Sequence, residues 1–111
     1  MLSLTATRNG QKRAQRFAIR TAVRYRITGD LEWRQGTTEN ISSSGVLFRC
    51  EHSVEPDTPL EMSWVVPIAR FGNGSAQVYC RGTVVRLMKD GEADDLATVA
   101  TRISHYRIIR P

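Results

Sequence analysis

At 111 residues, 41% of them hydrophobic and 24% charged, the chain has room for one folded domain with a modest core and not for two. No apolar run approaches the roughly 18 residues of a membrane-spanning helix, and Met1 to Thr7 lack the basic start and sustained apolar stretch of a secretory leader, so a cytoplasmic protein without membrane insertion is expected. The formal net charge is +5 and unevenly spread: Arg8, Lys12, Arg13, Arg16, Arg20, Arg24 and Arg26 all precede Asp30, the first acidic residue. Such a segment either draws anions at long range or serves only as a solvated basic tail.

In chain order, residues 1 to about 15 show no strong period and read as flexible. From Phe17 the pattern changes. Phe17, Ile19, Thr21, Val23, Tyr25 and Ile27 alternate with Ala18, Arg20, Ala22, Arg24 and Arg26, the period of two of a half-buried strand. This places Arg20, Arg24 and Arg26 on the face away from the core. Thr28-Gly29-Asp30 is a turn by composition. Leu31 to Arg34 continues the alternation, with Trp33 in phase with core positions, and a strand follows near Thr37-Thr38-Glu39.

Asn40 to Gly45 interrupts the pattern before the short apolar strand Val46 to Cys50. After the turn Pro56-Asp57-Thr58-Pro59, the run Leu60 to Ile68 holds Met62, Trp64 and Val66 in phase. Gly72-Asn73-Gly74 marks a hairpin. Gln77 to Leu87 reads as a strand with Tyr79, Thr83, Val85 and Leu87 alternating, and after the polar loop Lys89 to Asp95 the strand Leu96 to Ile103 presents Ala97, Val99, Thr101 and Ile103. No helical repeat of ten or more residues occurs. Six or seven short runs separated by turn chemistry are the signature of an all-β sandwich or barrel.

Cys50 and Cys80 lie inside apolar runs and read as core thiols. With only the isolated His52 and His105 beside them, they lack metal-ligand spacing, so no metal is expected. Ser42, Ser43 and Ser44 have no neighbouring His or Lys to activate a nucleophile, and no catalytic constellation is present, so the chain is not expected to be an enzyme.

The sharpest local feature is Asn40-Ile41-Ser42-Ser43-Ser44-Gly45. Asn and Ser side chains bond nearby backbone in turns, and Gly permits positive φ or close approach to the main chain. On these grounds it is either a plain polar turn or a site for a phosphate or a base edge.

Asn-x-Ser-x-x-Gly with the apolar strand Val46-Leu47-Phe48 directly after it resembles the second signature of PilZ domains. The upstream half is also similar: PilZ domains carry Arg-x-x-x-Arg in a basic segment before the first barrel strand, some two dozen residues ahead of that turn. Pro59-Leu60-Glu61-Met62, Cys80 to Leu87 and Ala97 to Ile103 resemble later stretches of the family. The resemblance covers roughly residues 12 to 104. It implies a six-stranded antiparallel barrel at 17–104, preceded by a flexible tail at 1–11 and a basic arm at 12–16, and followed by a short tail at 105–111.

The resemblance further implies a receptor for cyclic di-GMP that needs no cofactor. The implied ligand residues are Lys12, Arg13, Arg16, Arg20, Asn40, Ser42, Ser43 and Gly45. An arginine suits this ligand because its fork matches guanine N7 and O6 and can also stack on a base or pair with a phosphate. One departure stands out. Arg16-Phe17-Ala18-Ile19-Arg20 satisfies the spacing literally, but if the first strand starts at Phe17, Arg16 is the second arginine of the motif and Lys12 holds the first position, with a point charge in place of a planar fork. Partners implied are cyclic di-GMP and an effector protein. A PilZ-like adaptor that ignores the nucleotide is the competing expectation. A nucleic-acid-binding barrel is disfavoured, since most of the eight aromatic residues fall on apolar phases and leave few for stacking.

Overall fold

The computed structural model describes residues 16–68, 74–89 and 97–109. The expected features at 1–15, at the Gly72-Asn73 turn and at Asp90 to Asp95 lie outside the described residues. Six strands form: β1 (Ala22–Ile27), β2 (Arg34–Ile41), β3 (Gly45–Cys50), β4 (Pro59–Ile68), β5 (Gly74–Lys89) and β6 (Ala97–Ile109). They close into an antiparallel barrel in the order β1-β2-β3-β6-β5-β4. No helix occurs among the described residues.

Alternation explains which side chains fill the barrel. Val23 and Tyr25 of β1, Val46 and Phe48 of β3, Leu60, Met62 and Trp64 of β4, and Ala97 and Val99 of β6 are all buried. The Tyr25 and Phe48 rings meet at 5.0 Å between centroids. Burying a side chain of this size stabilises the fold by about 1.5–3 kcal/mol. Cys50 and Cys80 are free and buried in this core, as expected of them. Burial pushes the Cys80 thiol up to about 12 and raises that of Cys50 as well, so neither is a reactive thiolate at neutral pH.

Four expectations need correction. First, β1 begins at Ala22 rather than Phe17; Phe17 to Thr21 keep the alternation but pair with β2 only through irregular contacts. Second, Trp33 is not in the core but lies half-buried on the outer surface, beneath the guanidinium groups of Arg24 at 5.0 Å and Arg26 at 4.5 Å. Arg26 is correspondingly half-buried on that outer face.

Third, β5 is out of phase with the reading of Tyr79, Thr83 and Val85 as one inward row. Ala76, Val78, Cys80 and Val84 face inward, while Val85 is exposed. The inward row is the apolar one, while the outer row mixes Tyr79 and Val85 with Gln77 and Arg81, and the register with β4 sets Met62 opposite Cys80 and Trp64 opposite Val78. A bulge between Val84 and Arg86 then reverses the phase, and Leu87 packs against the core. Fourth, β6 continues to Ile109, because β5 is long enough to pair with it from Gln77 onward; Tyr106 packs on the core from this extension.

Candidate functional site

Residues 16–21 form a strap along the outer edge of β2. Phe17 and Ile41 exchange both backbone hydrogen bonds at 2.9 Å. Ile19 N–H turns back onto Phe17 O at 2.8 Å, which breaks the regular ladder. Thr38 repairs the break. Its fully buried hydroxyl donates to Ile19 O at 2.6 Å and accepts from Thr21 N–H at 2.9 Å, while its own N–H reaches Thr21 O at 2.9 Å. A buried donor or acceptor left unmade costs about 1–3 kcal/mol, so one threonine holds the strap in place.

The β2–β3 register slips between Thr38 and Asn40. Thr38 and Ile41 both point inward, and the extra residue puts Glu39 and Asn40 together outside the core. The strap's two arginines meet this pair in order. Arg16 Nη1 lies 3.5 Å from Asn40 Oδ1, and Arg20 Nη2 lies 3.4 Å from Glu39 Oε1. Both contacts are long and exposed, with the Arg20 side chain 75% accessible.

The turn that follows is built by Ser42. Its hydroxyl accepts the N–H groups of Ser44 and Gly45, each at 3.1 Å, and its own N–H donates to Gly45 O at 2.9 Å. Ser42 is buried, Ser43 half-buried and Ser44 exposed. Gly45 is required for a reason that local sequence does not state: a Cβ there would stand 2.7 Å from the Thr101 carbonyl of β6. Its φ is not positive, so close approach of a neighbouring strand explains this glycine.

Beside the strap, a cleft of about 510 Å3 runs along β2 and β3 over Gly36, lined by Arg20, Thr37, Glu39, Arg49 and Glu51 among others. The structure therefore brings Arg16, Arg20, Asn40, Ser42, Ser43 and Gly45 to one side of the barrel. Lys12 and Arg13 lie outside the described residues. Sequence reasoning missed Glu39, Thr37 and Arg49, since their meeting across β2 and β3 depends on the register between the strands. Among the described residues, no group of three His, Cys, Asp or Glu is placed to hold a metal ion.

The sequence model of the PilZ domain matches residues 10–108. The chain belongs to the PilZ family. PilZ domains are receptor and adaptor domains for cyclic di-GMP rather than enzymes. Among solved structures, the barrel is similar to the structure of Bacillus subtilis Inhibitor of motility (MotI/DgrA), at a TM-score of 0.68 and 15% identity over 87% of this chain. At that identity the likeness is one of fold. The match takes in 44% of the MotI/DgrA chain, so this PilZ chain spans less than half the length of that protein. No curated protein sequence matches it.

Proposed function

We propose that this PilZ domain is a receptor for cyclic di-GMP, held between the basic arm and the Asn40–Gly45 turn, with no catalysis of its own. The observation that carries the reading is the pairing of Phe17 with Ile41, which seats Arg16 against Asn40 although 24 residues separate them. A guanidinium group there can read the N7 and O6 of guanine or pair with a phosphate, and Asn40 can bond a base edge. Lys12 and Arg13, immediately upstream, add positive charge for a ligand carrying two phosphates. Ser42 and Gly45 shape the turn, and Ser43 lies on its less buried side.

Signalling follows from the same arrangement. Closing the arm, residues 12–16, over the ligand changes the surface read by an effector protein. Calorimetry with cyclic di-GMP tests this: the domain should bind, and Arg16→Ala should weaken binding about tenfold, the value of one good base contact. A flat titration at high micromolar ligand, with the fold intact, would leave a protein-binding adaptor in its place.

A further inference from the structure

We infer that Glu39 is the residue that selects guanine, its carboxylate accepting the N1–H and N2–H donors of one base of the ligand; the inference rests on the reading just proposed. Two carboxylates line the cleft, the exposed Glu51 and Glu39, and a carboxylate repels phosphate, so Glu39, the one beside Asn40, needs an explanation in a site for a dianion. Glu39 is half-buried and shares the outer face with Gln35 and Thr37, where alternation after the inward Thr38 puts it. The bulge after Thr38 turns Asn40 outward beside it, and Thr38 and Ile41, both buried, fix the backbone on either side of the pair.

Its bond to Arg20 does not account for it. The contact is single at 3.4 Å, with the arginine largely exposed, and an ion pair of that kind holds a side chain only weakly in water. It can exchange for a ligand at little cost. Once parted, the two groups offer complementary chemistry. Arg20 and Arg49 supply cations along the cleft for phosphate or for the N7/O6 edge. Glu39 supplies an acceptor-only group.

Among the bases, guanine alone presents two adjacent donors on its Watson–Crick edge, matching the two oxygens of a carboxylate. Adenine offers N1 as an acceptor at the same place, which a carboxylate repels. A site built to bond such donors rejects a base that lacks them far more strongly than an apolar pocket could.

The test is a pair of titrations, cyclic di-GMP and cyclic di-AMP, on the wild type, Glu39→Gln and Glu39→Asp. The wild type should prefer the guanine ligand. Glu39→Gln keeps one acceptor and adds a donor, so the guanine-to-adenine affinity ratio should fall about tenfold or more, while Glu39→Asp retains most of it. Removing the charge relieves phosphate repulsion for both ligands alike, so the ratio isolates edge reading. A ratio unchanged in Glu39→Gln, whether both affinities rise or fall, would show that Glu39 merely neutralises Arg20 and would overturn the inference while leaving the receptor reading intact. A wild type that binds neither ligand, still melting cooperatively, would sink both. Glu39→Asp guards against a folding failure of the glutamine variant, since a lost ratio there with normal melting also counts against the assignment.

Discussion

Arginine meets carboxylate on two faces of the barrel, and the contrast separates structure from site. On β1, β4 and β5, Arg26 donates to Glu61 Oε1 through Nη2 at 2.9 Å and Nε at 3.2 Å, and Tyr79 O–H donates to the same oxygen at 2.6 Å. The Glu61 side chain is 9% exposed, Arg26 lies over Trp33, and Arg107 lies over Tyr79 at 5.2 Å. The Arg26–Glu61 pair at its centre is short-bonded and largely covered. On the strap and β2, Arg16 and Arg20 reach Asn40 and Glu39 only at 3.5 and 3.4 Å and stay in water. The β2–β3 pair stands diametrically across the ring from β4–β5. Closed charges cost too much to part and so serve the fold; open ones exchange partners cheaply and so can serve a ligand.

The contrast can be broken at its closed end first. Glu61→Ala strands Arg26 and the Tyr79 hydroxyl and should cost about 2–3 kcal/mol in denaturant unfolding, with cyclic di-GMP affinity unchanged. The Glu61 carboxyl is held below its usual range by the Tyr79 hydrogen bond, and further by Arg26, against a desolvation that pushes it up. Its folded value lies below its unfolded one. The stability it confers is therefore complete above the unfolded value, about 4.3, and lost as pH falls through the folded one. The gap between wild type and Glu61→Gln should close on acidification; a gap constant with pH would mean the closed face is not electrostatic.

Gly45→Ala comes next. It drives a Cβ into the Thr101 carbonyl, so β3 and β6 must part, at about 1–3 kcal/mol by thermal melting. Because the turn moves with β3, ligand affinity should fall too, unlike for Glu61→Ala. The open face should behave in reverse. Arg16→Ala, expected to weaken ligand binding, should leave stability within about 0.5 kcal/mol by denaturant titration. Smallest is Trp33→Leu, which removes the ring beneath Arg24 and Arg26: about 0.5–1 kcal/mol of stability and no change in calorimetric affinity. Loss of ligand binding in this variant would move the site to the closed face.

Much of this was legible in the residues themselves. Val23 and Tyr25, Val46 and Phe48, and Ala97, Val99 and Thr101 sit where the alternation puts them, because a strand's period decides which residues share a face whatever its neighbours are. The Asn40–Gly45 turn and the basic segment before it carry the family in their spacing. Period misleads where large apolar groups stand on a mixed row, as in β5, where Tyr79 and Val85 share the outer row with Gln77 and Arg81 and the smaller Cys80 faces inward opposite Met62. It is silent on bulges, so the turning of Asn40 outward beside Glu39 had to await the slip after Thr38. Trp33 reads as core by phase, yet the arginines of β1 drew it outside. Local chemistry set the strands, the turn and the charge. Register and ring closure, which depend on cross-strand partners far away in the chain, decided which of those charges meet.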